Sequence, residues 1–242
     1  MKKAILNMMV KESVGSKPSC VECRNHEKNL SNALSPWLVC DEQAKSESII
    51  FVGKTARGDC IGEEIAPLLE DVVPFGTDFI KKSSWAYWSY TRSIIENVFG
   101  DLETGLKNIS FTNMIKCNNE STPDTSSYDA KVCCLRKNRF IWKEFDILTP
   151  RLAVFYTNTD YDEFIKVFRP NASVKYEDHT DINHRKQVGR KTMPWWERSF
   201  YDSNNNEIFR FLRIGHPERM LKNIFVKLVS DWIRNQKGIP IN

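Results

Sequence analysis

Apolar and polar positions along this chain fall into short blocks that switch between two periods. "SIIFVG" (48–53) is a compact β-type apolar run, too short for a helix, and predicts a buried strand. "SSWAYWSYTRSIIENVFG" (83–100) opens on serines and closes on Gly100, a helix start and stop. "NISFTNMIKC" (108–117) predicts a second strand. Residues 122–148 begin with loop chemistry and continue as a long helix, with Leu135, Phe140, Ile141, Phe145 and Leu148 near helical spacing; Pro150 ends it. "RLAVFYTN" (151–158) predicts a third strand and "DYDEFIKVF" (160–168) a short helix. "MPWWERSFYD" and "NEIFRFLRI" flank Ser-Asn-Asn-Asn and predict a hairpin. The last helix starts at "HPERMLKN", with Pro217 in its first turn and Gly238 past its end. Residues 1–47 are polar and predict an irregular segment with some helix, and 60–82 a long excursion.

Strands alternating with helices predict an α/β protein, a three-layer αβα sandwich around a largely parallel sheet. No internal repeat or long linker interrupts residues 1–242, so one domain is expected, its first 47 residues carrying Cys-x-x-Cys. Open α/β sheets bind ligands at the carboxyl ends of their strands. That directs attention to the segments after Gly53, around Asn113 to Cys117, and at His216.

Composition narrows the classes. A net charge of +4 is only mildly basic and does not by itself indicate nucleic-acid binding. No stretch approaches the ~18 apolar residues of a membrane span. "MKKAILNMMVKES" is interrupted by Asn7 and lacks a small-residue cleavage site, so it is not read as a signal peptide. Seven cysteines in a chain without a secretion signal argue against a disulfide framework. The expectation is a cytoplasmic monomer without a membrane partner.

Gly-Lys-Thr at 53–55 invites a P-loop reading. A P-loop requires a glycine five residues earlier, and Ser48 stands there. The intervening Ile49, Ile50, Phe51 and Val52 belong in a strand, not in a loop wrapped around phosphate.

The order of several weak motifs is more specific. Cys20 and Cys23, Gly53 with its loop, Thr112-Asn113, Lys116-Cys117, Cys133, and His216-Pro217 succeed one another along residues 18–235. "PWWERSF" precedes the His-Pro pair. In this order the chain resembles the uracil-DNA glycosylase superfamily, and within it the iron–sulfur (family 4) branch, with extra material at 60–84 and 170–192. The resemblance implies a DNA glycosylase, a hydrolase of base excision and DNA repair. Such an enzyme flips a nucleotide out of the DNA stack and hydrolyses its N-glycosidic bond.

Two residues between Cys20 and Cys23 let both sulfurs face one centre. Cys117 and Cys133, whose interval matches the family's, complete four thiolates for a 4Fe–4S cluster, with zinc as the competitor. Cys134 is a substitute ligand; Cys40 and Cys60 are spare. Buried free thiols are the plainer alternative.

By the same resemblance Asn113 reads the base edge and Tyr87, from "SWAYWSY" with Trp85 and Trp88, stacks on it, while Gly53, Thr55 and Arg57 line the pocket. His216 stabilises the departing base from a helix N-terminus, where the dipole helps. Arg219 and Met220 wedge into the gap the flipped base leaves. At one position the chain departs from the family: Lys54 stands where a carboxylate is expected, beside the developing sugar cation. Three readings stay open. Asp59 (or Glu63 or Glu64) supplies the carboxylate; Lys54 forms a Schiff base; or Lys54 and Arg57 bind phosphate and hydrolysis is altered. The simplest electrostatic solution is Asp59. The changed loop and the longer wall at 55–84 extend the expected substrate from uracil to modified pyrimidines such as those of phage DNA, which implies an antiviral role. "HRKQVGRK" (184–191) is either a solvated loop or a strip along the DNA backbone.

Overall fold

The computed structural model of the protein describes residues 1–27, 29–33, 39–40, 48–57, 80–119, 126–157 and 159–239. Helices α1 (Lys2–Lys11) and α2 (Pro18–His26) lead to strand β1 (Leu30–Ala33). Strand β2 (Ile49–Arg57) is followed, in the next described stretch, by α3 (Ala86–Phe99), α4 (Leu102–Lys107) and β3 (Ile109–Asn119). Then come α5 (Tyr128–Lys131), a π-helical turn (Val132–Lys137), α6 (Phe140–Leu148), β4 (Leu152–Tyr156) and α7 (Asp162–Lys166). Strands β5 (Lys175–Asp178), β6 (Arg185–Val188), β7 (Lys191–Tyr201) and β8 (Glu207–Ile214) precede the final helix α8 (Lys222–Lys237).

The sheet runs β1-β3-β2-β4-β8-β7-β5, with β6 added to β7. Its centre, β3-β2-β4-β8, is parallel; β1, β7, β5 and β6 pair antiparallel at the flanks. The expected α/β sandwich is therefore present. Side-chain alternation explains its layers. Ile50, Val52, Ala153 and Phe155 join a core under α1, α2, α6 and α7. Ile49, Phe51, Leu152, Val154 and Tyr156 join a second core under α3, α4 and α8. Central strands covered on both faces must be apolar throughout, which is why 49–52 and 152–156 lack polar residues.

Four expectations need correction. β2 does not end at Gly53 but continues to Arg57, because β3 runs on beside it to the Arg57↔Asn119 pair. The long helix expected before Pro150 is broken into three pieces. Arg139 takes a left-handed conformation (φ 55°) at the break, and Asn138 turns its amide toward the thiols of Cys20 and Cys133. Residues 170–192 are not mere insertion; they supply β5 and the β6–β7 hairpin. The last helix begins at Lys222 and not at Pro217, which opens a separate 3-10 turn, Pro217–Arg219. The β7–β8 hairpin is as expected, its turn held by Asp202, whose carboxylate accepts from the Asn204 and Asn206 amides at 2.9 and 2.8 Å. No helix among the described residues is long and apolar enough to cross a membrane.

Candidate functional site

Gly53 and Asn113 lie within β2 and β3, level with the carboxyl ends of β4 and β8, where β8 runs into the Gly215–His216 turn; α3 presents Tyr87 across them. Gly53 and Asn113 are direct register partners. A Cβ on Gly53 would stand 2.3 Å from Asn113 Oδ1 and 3.0 Å from the Tyr87 hydroxyl. Only a residue without a side chain lets the carboxamide and the phenol approach this backbone. The Tyr87 ring lies nearly parallel to the His216 imidazole, centroids 5.7 Å apart and planes 24° apart. Tyr87 thus lies beside His216 and, over Gly53, near Asn113, although Asn113 and His216 are 103 positions apart in the chain.

Aromatic rings hold Tyr87 in place. Trp88 and Tyr156 meet it edge-on at 4.9 and 5.3 Å, and Phe111 lies at 5.7 Å. Burial, and then the neighbouring Tyr156, raise the Tyr87 pKa well above the usual phenol range, so the hydroxyl stays a neutral donor. Trp88 is buried against Phe111 and serves as wall, not as an open stacking face.

His216 caps the 3-10 turn: its Nδ1 accepts from the Glu218 backbone amide at 3.3 Å. With Nδ1 accepting, the neutral ring carries its proton on Nε2, which is then its donor atom. The Glu218 carboxylate lies 3.8 Å from Nδ1. The expected contribution of a long-helix dipole needs correction, since α8 starts six residues after His216 and the turn that follows His216 is only three residues long.

Lys54 follows Gly53 within a continuous strand, and alternation carries its Cβ to the face opposite Gly53, Asn113 and Tyr87. Thr55 donates to the Cys117 carbonyl at 2.9 Å, so its hydroxyl is engaged across the sheet. Asp59, Glu63 and Glu64 lie outside the described residues, as do the side chains of Arg57 and Arg219. Met220 is half-buried against the second core, and its carbonyl accepts from Tyr90 at 2.8 Å. The apolar residue that this turn exposes is its neighbour Leu221.

Behind Asn113 lies a polar triad that the sequence reading missed. Thr112, Lys116 and Glu144 are all buried. Lys116 Nζ sits 2.6 Å from Thr112 Oγ1 and 2.7 Å from Glu144 Oε2, and Thr112 donates to the same carboxylate oxygen at 2.6 Å. Burial lowers the Lys116 pKa, against the pull of Glu144. The triad ties β3 to α6 on both sides of Asn113. A signal existed: Glu144 is four residues from both Phe140 and Leu148, inside the apolar stripe of its helix.

Of the four expected thiols, Cys133 hydrogen-bonds Cys20 and Cys23, and Cys117 is near enough to feel Cys20 and Cys133. Cys20, Cys117 and Cys133 are buried and Cys23 is half-buried. The Cys133 sulfhydryl lies 3.2 Å from the Ser19 carbonyl, and Asn138 Nδ2 lies 3.4 Å from Cys133 Sγ and 3.8 Å from Cys20 Sγ. Cys20 is pushed up first by its hydrogen bond with Cys133 and then by burial. Cys133 is hydrogen-bonded to Cys20, which pulls it down, and to Cys23, which together with burial leaves it raised. Cys117 rises to about 11 through burial, although Arg24 opposes this. Arg24 Nη1 is buried without a hydrogen-bond partner. Among the described residues no three His, Cys, Asp or Glu side chains close to the spacing of a metal-bound set. The donors are nonetheless those of a four-thiolate centre, and an orphaned guanidinium nitrogen beside them suits the negative charge such a centre carries. Cys134 is buried beside Lys116 and Cys117. The Cys40 amide bonds Ser110 near the opposite end of β3. Cys60 lies outside the described residues.

A scan against protein-family models gives no match, and a search of curated proteins finds no similar sequence.

Proposed function

We propose that the protein is a DNA glycosylase that receives a flipped pyrimidine-type base, uracil or a modified pyrimidine, at the Asn113–Tyr87–His216 edge of the sheet. The observation that carries this reading is the placement of Tyr87, whose hydroxyl end crowds Gly53 from the same side as the Asn113 carboxamide while its face meets His216. The Asn113 carboxamide has an acceptor and two donors for a base edge. His216, fixed by Glu218 with Nδ1 as acceptor, offers Nε2–H to the base oxygen that gains charge as the C1′–N bond breaks. The bonding pair leaves with the base, and water adds to C1′. The water proton passes to the carboxylate expected at Asp59. A base sandwiched between two rings requires about 7 Å, two contacts of ~3.5 Å. The 5.7 Å between Tyr87 and His216 is less, so a base stacking on that face of Tyr87 moves the imidazole from the ring face to the base edge, where Nε2–H reaches the oxygen.

Cys20, Cys23, Cys117 and Cys133 would hold the 4Fe–4S cluster, or zinc in its place. When bound, that centre supplies a cross-link that pins α2 to β3 and the π-helical turn. An antiviral role against phage with modified pyrimidines remains part of the proposal; of the segment 55–84 that motivates it, residues 58–79 lie outside the described residues.

A second reading, DNA recognition without cleavage, is favoured by the continuous β2. It places a lysine directly after Gly53 and turns it to the opposite face. Oligonucleotides carrying uracil and a panel of modified pyrimidines, incubated with the full chain, separate the two by chromatography of released base. Release that falls by about 10²–10³-fold in His216→Gln is expected. Binding of the same oligonucleotides with no base released supports the second reading, and neither binding nor release overturns both. Borohydride trapping tests Lys54: an adduct revives the Schiff-base route, and its absence removes it.

A further inference from the structure

The β6–β7 hairpin is a further element beside this site. It carries Arg185, Lys186, Arg190 and Lys191 within seven residues and no acidic residue among them. Two contacts fasten it along the turn that bears His216. At its base, Pro194, which pairs with Arg185, lies 3.4 Å from the Cβ position of Gly215. At its tip, Gly189 takes φ +63°, and a Cβ there would stand 2.3 Å from Leu221 Cδ1. The tip therefore lies directly against Leu221, and its positive φ favours glycine there. Val188 and Met193 bury the inner face in the second core, while Arg185, Gln187, Arg190 and Thr192 face outward. Lys186 lies over the Trp195 ring at 3.6 Å and feels Glu197, and Arg185 feels Asp162; Arg190 and Lys191 occupy the tip. Leu221 itself is 53% exposed, between the basic tip and Lys222. An exposed apolar side chain flanked by cations suits a partner with apolar base faces and a regular row of negative charges.

We infer that this hairpin is a phosphate clamp: it grips the backbone of the DNA strand flanking the flipped nucleotide on the Leu221 side and holds the His216 turn against it. This rests on the glycosylase reading for the identity of the partner. Each phosphate neutralised by a lysine or arginine contributes about 0.9 to the slope of log affinity against log salt on duplex DNA. Fluorescence anisotropy of a labelled duplex with the full chain, between 50 and 200 mM salt, is the test, with Arg190→Ser/Lys191→Ser at the tip and Lys2→Ser/Lys3→Ser on α1 as a control of equal charge. The tip variant is expected to lose about 2 from the slope and to show about tenfold less weakening over that salt range. The control keeps the wild-type slope. Equal slopes for tip variant and wild type, or equal losses in both variants, overturn the clamp. If base release persists while the slopes are equal, the clamp falls and the glycosylase reading stands. If the wild-type chain binds no DNA, both fall. A Gly189→Ala variant gives a second measure: it strains the positive φ of the tip and crowds Leu221, and wild-type affinity and slope in it would also overturn the seat.

Discussion

Gly53→Ala tests the geometry of the site most directly. The added methyl would stand 2.3 Å from Asn113 Oδ1 and 3.0 Å from the Tyr87 hydroxyl. Carbon–oxygen contacts settle near 3.3–3.6 Å, so the carboxamide must retreat by about 1 Å. Gly53 sits in a regular strand, where alanine would otherwise gain about 0.5–1 kcal/mol in backbone entropy. Overpacking costs about 1–3 kcal/mol, which leaves a net loss of roughly 0–2.5 kcal/mol. That is too little to unfold the chain. Activity is far more sensitive, because a misplacement of about 1 Å in a reacting group lowers rates by about 10²-fold. The assay pairs urea denaturation with base release. Gly105→Ala is the matched control: its Cβ meets Ile95 Cγ2 at 2.1 Å in the core between α3 and α4, away from Asn113. It is expected to lose stability and keep base release. Wild-type release by Gly53→Ala, or an equal loss of release in both variants, would refute the claim that Gly53 exists to admit Asn113 and Tyr87.

Other consequences are equally concrete. Glu144→Gln leaves the Lys116 ammonium buried without its counter-charge and should cost about 3–5 kcal/mol in urea denaturation; a loss below about 1 kcal/mol would contradict the ion pair. The double change Lys116→Met/Glu144→Leu should recover most of that loss, since apolar residues replace a buried pair with little penalty. Burial raises Asp162 to about 6, although Arg213 pulls it down. The folded state therefore holds the proton more tightly than the unfolded chain, so this group's contribution falls as pH rises from about 4 to about 6. Thermal midpoints of wild type and Asp162→Asn should diverge across that window, and a constant difference would sink the assignment. Protein purified anaerobically should contain either iron with acid-labile sulfide or zinc, lost in Cys20→Ser and Cys133→Ser and kept in Cys40→Ser. Wild-type protein free of all three elements would remove the four-thiolate proposal.

Local pattern made much of the architecture legible. Unbroken apolar runs at 49–52 and 152–156 marked strands buried on both faces, and the α/β class followed from their alternation with helical stretches. Helix stops at Gly100 and Gly238 were visible because the positive φ of a helix end is favoured by glycine. Short exposed strands were not visible. β5 is exposed along its whole length, so no apolar alternation marks it, and β6 contributes one buried residue, Val188. The break in the helix before α6 was hidden as well; at it, Asn138 reaches the Cys20 thiol of a helix more than a hundred residues earlier.

The amino-acid sequence by itself determined which segments are buried, where helices end, and which residue types are present to bind a base or hold a thiolate centre. Those properties depend on neighbours within a few positions. Tertiary structure alone decided that β2 continues past Gly53, because its length is set by pairing with β3. It alone decided that Tyr87 lies beside His216 and, over Gly53, near Asn113, and that a basic hairpin is seated on Leu221. Such contacts join residues far apart in the chain, and the free energy that selects them comes from burying whole faces of sheet and helix together, a quantity that no local stretch contains.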